Sequence, residues 1–172
     1  IEVNGSERVT ISKCITKNNS IAGIYVTNSK DVLIQNSIFK QNGNGIWITN
    51  GDSTELCERI TIQGCSIDSS SEMGIKIWIN GDNTNWKGIK NVIIKGNLLR
   101  YNKFIPIRIM SNSTREILIE GNLIYDNCAL ATDTINVGAI MNQAGKYVYV
   151  IGNRAYDTQS PKKQKYGYLE IA

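Results

Sequence analysis

An all-β coil of parallel strands, about six rungs with three short strands each, is the fold class this sequence predicts. Three observations point to it. One phrase of alternating apolar residues recurs six times, a second phrase follows every copy, and no segment of about ten residues keeps a helical period.

The first phrase reads apolar-x-apolar, two residues, a small polar residue, then x and another apolar residue. Its copies are Val9-Ile11-Cys14-Thr16, Val32-Ile34-Ser37-Phe39, Ile60-Ile62-Cys65-Ile67, Val92-Ile94-Asn97-Leu99, Ile117-Ile119-Asn122-Ile124 and Val148-Val150-Asn153-Ala155. Counted from Ile11, the later copies begin at Ile34, Ile62, Ile94, Ile119 and Val150, in steps of 23, 28, 32, 25 and 31 residues. The second phrase is Gly23-Ile24-Tyr25-Val26, Gly45-Ile46-Trp47-Ile48 and Gly74-Ile75-Lys76-Ile77. It degrades to Pro106-Ile107-Arg108-Ile109, Gly138-Ala139-Ile140-Met141 and Gly167-Tyr168-Leu169-Glu170-Ile171. Period two marks strands with one buried face, here three to five residues long and rich in Ile and Val. Asn, Gly and Ser punctuate them as turn formers. A unit of about 22 residues cannot bury its inner face alone, so it must stack on a copy of itself. Rungs at roughly 4.8 Å would give a rod roughly 25–30 Å long. Cys14, Ser37, Cys65, Asn97, Asn122 and Asn153 then lie above one another at a tight bend. There Asn tolerates left-handed backbone and its amide bonds the rung above.

Composition narrows the function. The 172 residues suit one domain, residues 1–172, and 41% hydrophobic against 20% charged excludes disorder. No apolar run is long enough to insert in a membrane. A net charge of +4 without a dense basic stripe argues against nucleic acid. There is no histidine, which removes Ser-His-Asp and Cys-His nucleophiles, His-ligated zinc and every imidazole acid or base. The four cysteines, Cys14, Cys57, Cys65 and Cys128, form no Cys-x-x-Cys pair and read as free thiols. The chain opens on Ile1 rather than Met and ends within a strand phrase, so it reads as a piece of something longer.

Val-x-Ile-x-x-Asn-x-Ile followed by Gly-Ile-x-Ile resembles the repeat of the pectate-lyase-like superfamily, over residues 9–171. The resemblance implies a right-handed parallel β-helix and a life on the outside: a tailspike-like virion protein or an extracellular carbohydrate-active protein. Such proteins recognise, hydrolyse or cleave by lyase chemistry an acidic or complex polysaccharide. Fold alone does not fix activity. The histidine-bearing hydrolase and epimerase motifs of the superfamily have no counterpart here, and no calcium-aspartate motif surrounds Arg108. The chemistry uses carboxylates, Arg, Lys or Tyr, or it lies beyond Ile1 or Ala172, or there is none.

Alternate residues of each strand point outward. Tyr25, Trp47, Lys76 and Arg108 therefore stack on one face, with Trp78 one pleat further along. Rings for sugar faces beside cations for carboxylates suit an acidic glycan, and cross-rung packing is the alternative. Two long insertions, Thr49 to Arg59 and Asn80 to Asn91, follow that strand in adjacent rungs and both start Asn-Gly-Asp. They carry Asp52, Glu55, Glu58, Asp82 and Trp86: paired carboxylates for acid–base catalysis, or solvated turn residues. No cofactor is expected, although Asp52 or Asp82 with loop carbonyls would be the place for a calcium ion. A second pair of insertions, Tyr125 to Val137 and Tyr156 to Tyr166, carries Asp126, Asp133, Asp157 and the run Pro161-Lys162-Lys163-Gln164-Lys165. Finally, Thr10, Leu33, Thr61, Ile93, Leu118 and Tyr149 share an outward phase, as do Ile15, Ile38, Leu98 and Leu123. An apolar stripe of that length calls for cover, as in a homotrimer, or is ordinary exposed surface.

Overall fold

A computed structural model describes residues 1–51, 56–79, 88–131 and 137–171. After β1 (Glu2–Asn4) the described strands fall into six turns of a coil. They are β2 (Glu7–Ser12), β3 (Ile15–Lys17) and β4 (Ala22–Thr27); β5 (Lys30–Gln35), β6 (Ile38–Lys40) and β7 (Asn44–Thr49); β8 (Cys57–Gln63), β9 (Ser66–Asp68) and β10 (Ile75–Ile77). The upper three turns are β11 (Ile89–Lys95), β12 (Leu98–Arg100) and β13 (Ile107–Ile109); β14 (Thr114–Glu120), β15 (Leu123–Tyr125) and β16 (Gly138–Asn142); β17 (Lys146–Ile151), β18 (Arg154–Tyr156) and β19 (Tyr166–Glu170). Each strand pairs in parallel with its equivalent one turn away. Three sheets result: a seven-stranded front sheet (β1-β4-β7-β10-β13-β16-β19), a bulged sheet (β2 to β17) and a short sheet (β3 to β18). The expected parallel β-helix with six rungs of three strands is therefore what forms.

The core is a set of vertical apolar columns. Ile11, Ile34, Ile62, Ile94, Ile119 and Val150 are in register, as are Thr16, Phe39, Ile67, Leu99, Ile124 and Ala155. Ile34, Ile46, Ile48, Ile62, Ile67, Ile75 and Ile77 are wholly enclosed. Each such side chain contributes about 1.5–3 kcal/mol by leaving water.

The small polar column behaves as a hydrogen-bonded ladder. The Cys65 N–H donates to Asn97 Oδ1 at 2.9 Å, Asn97 N–H to Asn122 Oδ1 at 2.9 Å and Asn122 N–H to Asn153 Oδ1 at 2.9 Å. The left-handed residue is not the Asn itself but its predecessor: Lys13, Asn36, Gly64, Gly96, Gly121 and Gly152 have φ of 49–61°. A second ladder runs five residues on, at Asn19, Asn42, Ser70, Asn102 and Asn127. It too follows left-handed residues, Asn18, Gln41, Ser69, Tyr101 and Asp126.

Three expectations shift in detail. The strands of the bulged sheet run to seven residues, because a left-handed residue (Arg8, Asp31, Arg59, Asn91, Glu116 or Tyr147) is absorbed within each one. Cys57, Glu58, Arg59, Ile89, Lys90 and Asn91 thus belong to strands rather than to the insertions. In the fifth rung Ile140, not Ala139, aligns with Ile107, so the phrase there is Ala139-Ile140-Met141-Asn142. Strand β1, which carries neither phrase, adds Val3 to the core.

All four cysteines are free, and Cys57, Cys65 and Cys128 are buried. Burial pushes the Cys57 thiol up to about 11; burial, then the Asp157 charge, push Cys128 up to about 12. A thiol reagent at pH 8 is therefore expected to label one cysteine per native chain, Cys14, and all four after unfolding. Counting released chromophore before and after denaturant checks this.

Candidate binding face on the front sheet

The register of the front sheet sets its outer face. Tyr25 lies over Glu2, Trp47 over Tyr25, Lys76 over Trp47, Arg108 over Lys76 and Met141 over Arg108. The four residues singled out in the sequence thus form one continuous column. Tyr25 meets Trp47 edge to face, centroids 5.1 Å apart at 89°. Trp78, just beyond β10, stacks on Trp47 at 6.0 Å and 15°. The Lys76 ammonium lies against both rings, 4.1 Å from the Trp47 ring centre and 4.6 Å from that of Trp78. Lys76 is buried, and that burial lowers its pKa; Glu72 at 3.9 Å opposes the shift and the charge of Arg108 adds to it. Among the described residues the Trp47 indole N–H is buried without a partner. An unpaired buried donor of this kind carries a hydrogen-bonding cost.

Arg108 donates to Gln143 Oε1 at 2.7 and 3.2 Å. Gln143 was not singled out, because it lies just past β16 and meets Arg108 only through the rise of the coil. Beside the lower end of the column is a cleft of about 640 Å³ lined by Glu2, Ile21, Ala22, Tyr25 and Trp47 among others. Burial, then the Glu2 carboxylate, push the Tyr25 phenol up. The arrangement puts aromatic rings and two cations in one row.

The acidic candidates divide. Asp52, Glu55, Asp82, Asp133 and Trp86 lie outside the described residues. Glu58 sits in β8, where Lys90 Nζ is 3.2 Å away and Arg59 is in direct contact. Burial would raise its pKa, but these two cations outweigh it and hold the carboxyl below its usual range. Glu58 is therefore held as a carboxylate by these two cations. Arg59 also reaches down to Asp31 at 2.6 and 2.9 Å, so Glu58 belongs to a cross-rung ionic network.

Asp126 and Asp157 organise loops. Asp126 accepts the Thr158 N–H at 2.6 Å and its hydroxyl at 2.7 Å. Asp157 accepts N–H bonds from Gln159, Gln164 and Lys163, which overcome its burial and lower its pKa. No cluster of metal-ligating side chains occurs among the described residues, and no described helix is long and apolar enough to cross a membrane.

The sequence model of a family described as "Right handed beta helix region" matches residues 1–86, half of the chain. No curated protein and no solved structure matches it.

Proposed function

Because this chain belongs to the right-handed β-helix family, we propose that it recognises a polysaccharide laid across the outer face of the front sheet. The observation that carries this reading is the Trp47, Lys76 and Trp78 cluster, continuous with Tyr25 below and Arg108 above. Indole and phenol rings fit the apolar faces of sugars, and cations held among them favour sugars bearing carboxylates or sulfates. Tailspike-like and secreted carbohydrate-active proteins both use such a surface, which makes virion or extracellular the place of action.

Affinity electrophoresis through gels containing polygalacturonate or alginate tests the binding. Trp47→Ala should weaken retardation by about tenfold, the loss of one stacked ring. Equal retardation of wild type and variant would remove the front sheet from consideration. Depolymerisation by acid–base chemistry would draw on Asp52, Glu55 or Asp82 with Glu58. New reducing ends indicate a hydrolase, an ultraviolet-absorbing product a lyase, and binding with neither a recognition module.

A second reading, a non-catalytic structural or adhesive shaft, is favoured by the apolar stripe. Leu33, Ile93, Leu118 and Tyr149 align on the bulged sheet, and Ile15 and Ile38 on the short sheet are 72% and 43% exposed. A homotrimer would cover them. Sedimentation at micromolar concentration decides between a monomer and that assembly.

A further inference from the structure

On the short sheet the column Lys17, Lys40, Asp68, Arg100, Tyr125 and Tyr156 changes character as it rises. In the middle, Arg100 is spent internally: it bonds Asp68 at 2.9 Å and the Tyr125 hydroxyl at 3.2 Å. Above it Tyr125 and Tyr156 stack at 5.1 Å and 3°, and Tyr101 meets Tyr125 edge-on at 5.9 Å. One face of Tyr156 is thereby occupied. The loop after it turns back on the Asp157 carboxylate, whose acceptor sites take N–H groups of Gln159, Lys163 and Gln164. A cleft of about 490 Å³ is left between strand and loop, lined by Tyr156, Asp157, Lys162, Lys165 and Tyr166 among others. Arg154 lies 5.3 Å from the Tyr156 ring. Among the described residues neither Arg154 nor Lys162 is in an ion pair, although Lys162 Nζ contacts the Asp157 carbonyl oxygen.

We propose that this cleft is a second saccharide site, separate from the front sheet, that takes one acidic sugar unit between Tyr156 and Tyr166 with its carboxylate towards Lys162 and Arg154. A volume near 490 Å³ suits one or two sugar rings and falls within the range of small-molecule sites. A carboxylate can draw on Lys162 in the lining and on Arg154 beside the Tyr156 ring, neither of them in an ion pair with a described acid. Single-stranded nucleic acid fits less well. It needs a track of cations along its backbone and a run of free ring faces. Here Lys162 and Lys165 line a short cleft, Arg154 lies against the Tyr156 ring, and Tyr125 and Tyr156 cover each other.

Titrating the full chain with digalacturonate in ¹H–¹⁵N spectra tests the site. Amides from Tyr156 to Gly167 should shift, and the neutral disaccharide lactose should leave them still. The double variant Arg154→Gln, Lys162→Gln should melt within a few degrees of wild type yet bind at least about tenfold more weakly at these amides, the cost of losing charge-assisted bonds. Trp47→Ala should leave the same shifts intact, which separates failure here from failure of the front-sheet reading. Three results would overturn the proposal: shifts confined to the front sheet, equal affinity of the double variant, or oligothymidylate displacing digalacturonate.

Discussion

Asn122→Ala is expected to lower the unfolding free energy by about 2–6 kcal/mol, at about 1–3 kcal/mol for each buried donor left unpaired. Asn122 Oδ1 accepts both the backbone N–H and the side-chain amide of Asn97, at 2.9 and 3.0 Å. Its own amide donates to the Ile94 carbonyl at 3.0 Å and to Asn153 Oδ1 at 2.8 Å. The residue is 1% exposed, so water is poorly placed to replace these bonds. Alanine strands two donors on Asn97 and one carbonyl on Ile94. Serine should recover part of the loss, because Ser37 fills the equivalent place and its hydroxyl accepts the Cys14 N–H at 3.1 Å. Urea titration checks both: the midpoint should fall for both variants, further for alanine, with an unchanged slope. An alanine variant as stable as wild type would mean that the ladder follows the fold rather than holding it.

Gly45→Ala should be at least as damaging, about 3 kcal/mol or more, since overpacking alone costs about 1–3 kcal/mol and here part of the obstacle is backbone. A Cβ on Gly45 would stand 2.4 Å from Ile67 Cγ2 and 2.6 Å from the Gly74 carbonyl oxygen. Gly74 cannot simply yield, because its carbonyl oxygen is tied to the same strand by the Ile46 N–H at 2.9 Å. At Gly23, Gly45 and Gly74 a carbonyl oxygen of the next rung stands 2.6–2.7 Å from where a Cβ would be, so in these rungs an added side chain must push the strands apart. Gly96→Ala is the control. Its φ of +59° carries strain, but nothing lies within 4 Å of the added carbon, so about 1–2 kcal/mol is expected. Thermal melts of the two variants should differ clearly. Similar melting temperatures would show that the stack relaxes around a methyl group.

Much of this was legible in the sequence because the fold repeats itself. The columns through Ile62 and Asn97, the outward row Tyr25-Trp47-Lys76-Arg108 and the apolar stripe follow from phase alone, since parallel register puts equivalent residues one above another. The second ladder was equally present, five residues beyond the first, but its lower members Asn19 and Asn42 merge into Asn-rich turns. The bulges at Arg59 and Asn91 escaped because a charged or amide residue with positive φ leaves no apolar signature. The cage around Lys76 escaped for another reason. Phase says which residues share a face, whereas the distances that desolvate an ammonium depend on rotamers. Glu58 falls in a strand rather than in the insertion because β8 begins at Cys57, three residues before its apolar pattern opens at Ile60. Asp52, Glu55 and Asp82 lie outside the described residues and rest on the sequence alone.

The turn between the bulged and short sheets is two residues long in all six rungs, from Lys13-Cys14 to Gly152-Asn153. The other two connections vary in length, from 28–29 to 78–88 after the front sheet and from 41–43 to 126–137 before it. Novelty can therefore accumulate on both flanks of the front sheet without disturbing the back of the molecule. One side is free to drift in sequence and length, while the other keeps the pitch on which every rung depends.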